Sequence, residues 1–273
     1  MTPSWPAAAG VAAVLAIGAS VAVAVQAACF DAHLRMLERH VGEGSGDPQA
    51  RSDLPPEVLA LAQRLGAQSS RGVVTLRQRG QMWSAPGARP MAFEARQTAS
   101  PSRIGYLWRA RMGPGRLVTA ADYYVAGVGG LEVKALGALS FAHQVGGPEM
   151  AQGEALRYLA ELPWNPDAIL LNHDLAWTVV TPTTLRVAQG PAAITFILDK
   201  DGLPKSMSAP SRGYLDKGRI RPMPWQGRFS HYQRISGRLL PTQGEVAWVI
   251  DGTEFIYWRG DLTAWTTGRE TAP

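Results

Sequence analysis

Acid–base chemistry has few candidates in this chain. His173 and Asp174 are adjacent in a loop, and His143 and Glu154 lie near and on a helix that could close a cavity. A general base must come within about 3 Å of the proton it moves, and chain neighbours point apart in most conformations, so spacing alone does not assemble this set. Patterns for a G-x-S-x-G elbow, an H-E-x-x-H pair and a phosphate-binding G-x-x-x-x-G-K-[ST] loop are all missing. Gly127-Val128-Gly129-Gly130 lacks the third glycine of a dinucleotide loop and reads as a turn. His33, His40, His143, His173 and His231 have no metal-ligand spacing, and Cys29, the sole cysteine, leaves no multi-cysteine zinc site and no intrachain disulfide. No catalytic residue, metal or cofactor is assigned from the sequence.

A second constellation concerns binding. In Arg157-Tyr158-Leu159-Ala160-Glu161-Leu162-Pro163-Trp164, Arg157 and Glu161 are four apart and share a helix face. Two readings stay open. Arg157 and Glu161 could form a structural clamp with Trp164 folded into the core. Alternatively, Arg157 could meet the acidic head of a ligand while Trp164 lines an apolar cavity. Tyr158 on the same helix, and Tyr106, Trp108, Trp248 and Trp258 on strand-like runs, complete the candidate ligand-binding set.

The elements that must hold these side chains follow from periodicity. From residue 71 onward apolar residues recur every second position, most sharply where Ile104, Tyr106, Trp108, Ala110 and Met112 alternate with Arg103, Gly105, Leu107, Arg109 and Arg111. This pattern predicts antiparallel strands with one wet face. Further strands are expected over 73–83, 91–98, 116–125, 131–139, 176–180, 184–188, 193–198, 205–209, 228–235, 243–250 and 254–263, with turns at Gly113-Pro114-Gly115, Gly129-Gly130, Asp199 to Gly202 and Asp251-Gly252. Asp53 is expected to cap a short helix carrying Val58, Leu61, Ala62 and Leu65 on one face and ending at Gly66. A longer helix over 148–162, ended by Pro163, would cover the open face of a curved sheet.

Composition bounds the remaining choices. With 273 residues, 46% hydrophobic, the chain is long enough to bury a substantial core, and 29 Gly with 20 Pro argue against long coiled coils. All but four of the 27 basic residues are arginine, scattered among 22 acids without a dense basic run, so no nucleic-acid partner is expected. Residues 7–28 carry no charge and hold eleven alanines and five valines, long enough for a membrane span or an export signal. The membrane is therefore an expected partner through residues 7–28. Arg35 and Arg39 would favour a cytoplasmic body, whereas an export segment puts the body outside. The expectation is an extracytoplasmic body in a bacterial cell envelope. The organisation expected is an apolar segment with helical continuation (1–41), a linker (42–52), a curved-sheet domain (53–268) and a tail (269–273).

The residues from Arg157 to Pro166, Asp199 to Leu203, Pro224 to Tyr232, Gly237 to Trp248 and Phe255 to Gly260 resemble a bacterial family known as domain of unknown function 6544. The likeness extends from about Leu54 to Trp265 and departs from the family pattern at Asn165-Pro166-Asp167, where an aromatic residue and a threonine after the proline are expected. It implies a mainly β (α+β) fold: a strongly curved antiparallel half-barrel with a covering helix, similar to the LolA and LolB lipoprotein carriers. The first functional expectation is a membrane-tethered or exported protein that binds a lipid or other amphipathic ligand. The alternatives are an envelope scaffold binding another protein and a hydrolase-type enzyme using the same cavity.

Overall fold

The computed structural model describes residues 5–43, 49–69, 72–216 and 219–268. Residues 44–48 of the expected linker and the tail (269–273) lie outside the described residues. Thirteen strands form one antiparallel sheet. They are β1 Val74–Met82, β2 Met91–Ala99, β3 Tyr106–Met112, β4 Val118–Val125, β5 Val128–Ala135, β6 Leu139–Val145, β7 Ala176–Thr181, β8 Thr184–Gln189, β9 Ala192–Leu198, β10 Pro204–Asp216, β11 Arg219–Ile235, β12 Arg238–Ile250 and β13 Thr253–Thr267. Their spatial order is β6-β5-β4-β3-β2-β1-β13-β12-β11-β10-β9-β8-β7. The chain thus makes two meanders, and its first and last strands zip together in the middle of the sheet, Val74 opposite Thr267 and Met82 opposite Trp258.

Curvature has local causes. Register shifts fall at Arg77/Gln78, Val133/Lys134, Ala209/Arg212 and Val246/Ala247, and each extra residue bends its strand and raises the local twist. Across the β1–β13 seam Gly80 faces Gly260, and a side chain on Gly80 would collide with the backbone of Arg259. The result is the half-barrel that the alternation and the family likeness imply.

Among the described residues four α-helices accompany the sheet: α1 Trp5–Gly42, α2 Pro56–Leu65, α3 Pro148–Ala160 and α4 Asp167–Leu171. Helix α3 lies across the concave side between the β4–β5 and β8–β10 regions, as expected of a covering helix. It is continued by a 3-10 turn at Leu162–Trp164, where Pro163 stops the α-helix. Helix α2 buries Val58, Leu61, Ala62 and Leu65 and ends on Gly66 in the left-handed region (φ 72°). Its N-cap position is Pro55, with no side-chain cap; Asp53 instead pairs with Arg51 at 2.7 Å, so the expected capping role is corrected.

Three further expectations change. The run read as one strand over 131–139 is the end of β5, a turn at 136–138 and the start of β6. Gly129 and Gly130 are not a turn but lie inside β5, where small residues are needed: a side chain on Gly129 would strike the Met150 carbonyl of α3, and one on Gly130 the ring of Tyr123. Strand β10 extends to Asp216 and β11 starts at Arg219, well past the expected ends, because prolines 210, 222 and 224 made exposed strand look like loop.

The face of β3 read as wet is partly covered. The C-terminal half of α1 packs Phe30, Leu34, Leu37 and Val41 on Leu107, Ala121, Tyr123 and Val125, a second apolar core on the convex side. Charges clamp it there. Glu38 pairs with Arg96 and accepts from the Thr98 hydroxyl at 2.7 Å, Asp31 pairs with Arg109, and His33 lies 3.1 Å from the buried Glu132. Lys134 sits 4.2 Å over the Phe30 ring. The uncharged segment therefore continues without a break into a helix docked on the sheet, and it leaves the sheet at Ala27, whose Cβ contacts the 136–138 turn.

Candidate functional site

The concave side encloses a cavity of about 480 Å³, within the ~300–1,000 Å³ usual for small-molecule sites. Its walls are large and soft: Met82, Met112 and Met207 alternate with Trp108, Trp225, Trp248 and Trp258. Methionines and indoles present apolar surface that adapts to irregular shapes. Glycines make room for the rings, since Trp164 occupies the space a side chain on Gly244 would need and Trp258 lies over Gly260. Trp258 stacks on Phe93 (5.7 Å between centroids), Trp164 meets Phe229 edge-on (5.5 Å), and Trp248 stacks on Tyr257 (5.7 Å).

One part of this apolar space is charged. Helix α3 carries Glu154, Arg157 and Glu161 inward, β4 supplies Asp122 and β10 supplies Arg212. Arg157 donates to Asp122 and, at 2.9 Å, to Glu161; its guanidinium stands 4.9 Å from the Trp108 ring centroid and 5.2 Å from that of Tyr106. Gln97 donates to Glu161 from β2. Arg212 lies 3.5 Å from Glu154, 4.5 Å over the Trp225 ring, and donates to the Tyr257 hydroxyl. The Tyr106 hydroxyl donates to Glu154.

Glu154 is the outlier in this group. Burial pushes its carboxyl up to about 8, the Asp122 charge adds to the rise, and Arg212, Arg157 and the Tyr106 hydrogen bond oppose it. At neutral pH the cluster therefore sets two guanidinium charges against the carboxylates of Asp122 and Glu161, with Glu154 largely protonated. Asp122 Oδ1 is buried and has no hydrogen-bond partner among the described residues. The surface can orient a polar head that donates to Asp122 or Glu154, while the Met and Trp walls take an apolar tail.

Six of the eight sequence candidates line the cavity: Trp108, Arg157, Glu161, Trp164, Trp248 and Trp258. Tyr106 stands behind Glu154, fully buried. Tyr158 points elsewhere, its hydroxyl donating to the Ser100 carbonyl at 2.7 Å and accepting from Asn172 at 3.2 Å. Arg157 satisfies the clamp geometry with Glu161 and faces the cavity as well. The acid–base set is not brought together. His173 is exposed and bonded to the Gln49 carbonyl, His143 sits with Glu132 on the sheet away from the cavity, and only Glu154 of the four lines it. The departure at Asn165-Pro166-Asp167 is a polar clamp: Asn165 donates to the Ser100 carbonyl at 3.0 Å, and the buried Asp167 pairs with Arg238 at 2.7 Å.

Sequence reasoning missed Asp122 and Arg212. Asp122 was legible, because it shares the inward parity of Ala120 on β4. Arg212 was not, because it follows the register shift after Ala209, which resets parity.

An antiparallel half-barrel bridged by a helix, with an apolar cavity and a charged patch in its wall, defines a class of cavity-bearing β protein. Within it, the chain belongs to the family of unknown function DUF6544, whose model matches residues 47–260. No curated protein matches the chain. Among solved structures it is similar to a LolA superfamily protein from Nitrosomonas europaea, at 9% identity over 77% of this chain and 92% of that one with a TM-score of 0.47. It is also similar to a putative outer membrane lipoprotein-sorting protein domain from Vibrio parahaemolyticus, at 9% identity over 79% and 93% with a TM-score of 0.42. A DUF1329 family protein from Desulfovibrio piger matches at 11% identity over 79% and 92%, with a TM-score of 0.40.

Proposed function

We propose that this protein binds a lipid or similarly amphipathic molecule in the half-barrel cavity while α1 anchors it to a membrane, with the half-barrel on the extracytoplasmic side. The observation that carries the reading is the cavity itself, about 480 Å³ of Met- and Trp-walled space with charged and protonated groups in one part of its wall. Burying a methylene contributes about 0.8 kcal/mol, so a chain of ten gives ample gross driving force before the costs of association. Asp122, Glu154 and Arg212 then orient the head. Helix α1 supports the anchoring half of the proposal: its stretch Ala16–Gly42 holds an apolar window able to cross a membrane, with most of that window exposed.

Photolabelling tests the reading. The full chain, purified in mild detergent, is irradiated with a palmitic acid bearing a mid-chain diazirine, and adducts are mapped by mass spectrometry. Adducts are expected on Met82, Trp108 or Met207, and Ala120→Trp, which fills space on the inner face of β4, should lower them several-fold. Adducts confined to α1, unchanged by Ala120→Trp, would refute binding in the cavity.

A further inference from the structure

The antiparallel order fixes which turns share an end of the sheet. The turns at 83–90, 113–117 and 136–138 lie at one end, and because β13 runs antiparallel to β1, the turn at 251–252 and the paired strand ends Asp216 and Arg219 lie there too. Helix α1 leaves the body at this same end, with Ala27 against Gly137. Beyond that contact Ile17, Val21 and Val25 are exposed. Counting from Trp5 to Gln26 at about 1.5 Å per residue, the part of α1 before that contact is about 33 Å long, close to the thickness of a bilayer core. With α1 anchored as proposed above, the point where it meets the 136–138 turn is level with the membrane surface.

The same end carries a concentration of large apolar residues that the protein leaves uncovered. Phe141 is 71% exposed, and Leu117, Leu136, Leu139, Leu215 and Ile220 are each about half exposed. Leu117 and Leu136 are tied together, the Leu136 amide donating to the Leu117 carbonyl at 2.8 Å. Exposed arginines, Arg89 and Arg219, stand in the adjoining turn and at the tip of β11. Apolar side chains flanked by Arg fit the layer where acyl chains meet anionic headgroups. Leu215 and Ile220 also line the cavity, as does the half-exposed Met91 at the start of β2, so the cavity opens at this end.

We propose that the sheet end bearing Leu117, Leu136, Leu139, Phe141, Leu215 and Ile220 is immersed in the interfacial layer of the bilayer that α1 enters, so that the cavity mouth opens onto lipid and not onto water. The occupant of this surface is the bilayer, identified by continuity with the apolar helix that emerges beside it. The proposal rests on the reading of α1 as a membrane anchor, and it adds that the docked half of α1 holds the mouth in a fixed pose at the surface. A lipid would then pass from bilayer to cavity without crossing water.

The test uses the full chain with Cys29→Ser as background, reconstituted into vesicles containing phosphatidylglycerol. A nitrobenzoxadiazole label is attached after Phe141→Cys, Leu215→Cys or Val180→Cys, the last at the opposite end of the sheet, where Val180 is 56% exposed. The labels at 141 and 215 are expected to emit at shorter wavelength than the label at 180. Acyl-brominated lipids should quench them at least twofold and leave the label at 180 unchanged. Labels at 141 and 215 that behave like the one at 180 would overturn the proposal. Flotation with the vesicles after alkaline wash reads α1 anchoring separately, so a failed anchor is distinguished from a rim that stays in water. The photolabelling above reads the cavity independently of both.

Discussion

Replacing Glu154 by glutamine should change how stability depends on pH more than it changes stability at any one pH. Glu154 is buried on α3, holds the Tyr106 hydroxyl and lies 3.5 Å from Arg212, and burial raises its carboxyl from 4.5 to about 8. Below pH 4.5 the folded and unfolded chains both carry the proton and the side chain costs nothing. Between 4.5 and 8 the folded protein keeps a proton that the unfolded chain releases, so stability falls with rising pH by up to ~1.4 kcal/mol per unit. Above 8 the loss levels off. Taken over the whole interval this amounts to several kcal/mol, roughly 5 as an upper figure. Glutamine keeps the shape and an oxygen that can accept from Tyr106, but it does not titrate. Urea unfolding followed by tryptophan fluorescence, on the full chain in mild detergent from pH 5 to pH 9, should show the Glu154→Gln variant gaining on the parent steadily from pH 5 to pH 8. A constant offset across that range would refute the reasoning, because it would mean that Glu154 ionises in the folded protein as it does in water.

Other substitutions probe the parts that hold the site. Asp167→Ala should destabilise by about 3–5 kcal/mol, since it leaves the buried Arg238 guanidinium without its carboxylate partner; urea unfolding midpoints measure this, and Asp167→Asn should cost less. Gly244→Val should cost about 1–3 kcal/mol, because the neighbouring atoms belong to the rigid indole of Trp164, which is itself held by a 2.7 Å bond to the Pro241 carbonyl. A shift in the tryptophan emission spectrum should accompany that loss. Leu34→Ala, at a site 1% exposed between α1 and the convex face, should cost about 2–5 kcal/mol. Limited proteolysis should then release α1 from the half-barrel sooner than in the parent.

The legible part of the fold was whatever alternation could carry. Tyr106, Trp108, Ala110 and Met112 face the core as their spacing implies, and the covering helix starts at Pro148 as expected. Illegible features were those where a second packing partner overrides the local signal. Leu107 looked like an apolar residue stranded on a wet face because nothing in β3 announces that α1 will cover it. Glu154 was read as an acid–base candidate on the covering helix, but its partners Tyr106 and Arg212, distant in sequence, could not be. Prolines misled at β11, where Pro222 and Pro224 sit in a long exposed hairpin that tolerates missing donors. At the site, the aromatic walls could be read from strand parity, whereas the charged cluster required knowing which strands α3 lies against.

The seam between β1 and β13 imposes an order on how this molecule is made. Both outer edges of the sheet, β6 and β7, come from the middle of the chain, so each meander can grow from its own hairpins as it is synthesised. The β1 flank cannot: its partner is Thr253–Thr267, which follows the twelve other strands in the chain. Until then the N-terminal six strands wait with an unpaired edge, the kind of surface that recruits strands from other molecules. Such long-range pairing is also intrinsically slow. Interior space for a guest is therefore created only when β13 arrives and turns two ribbons into a single vessel.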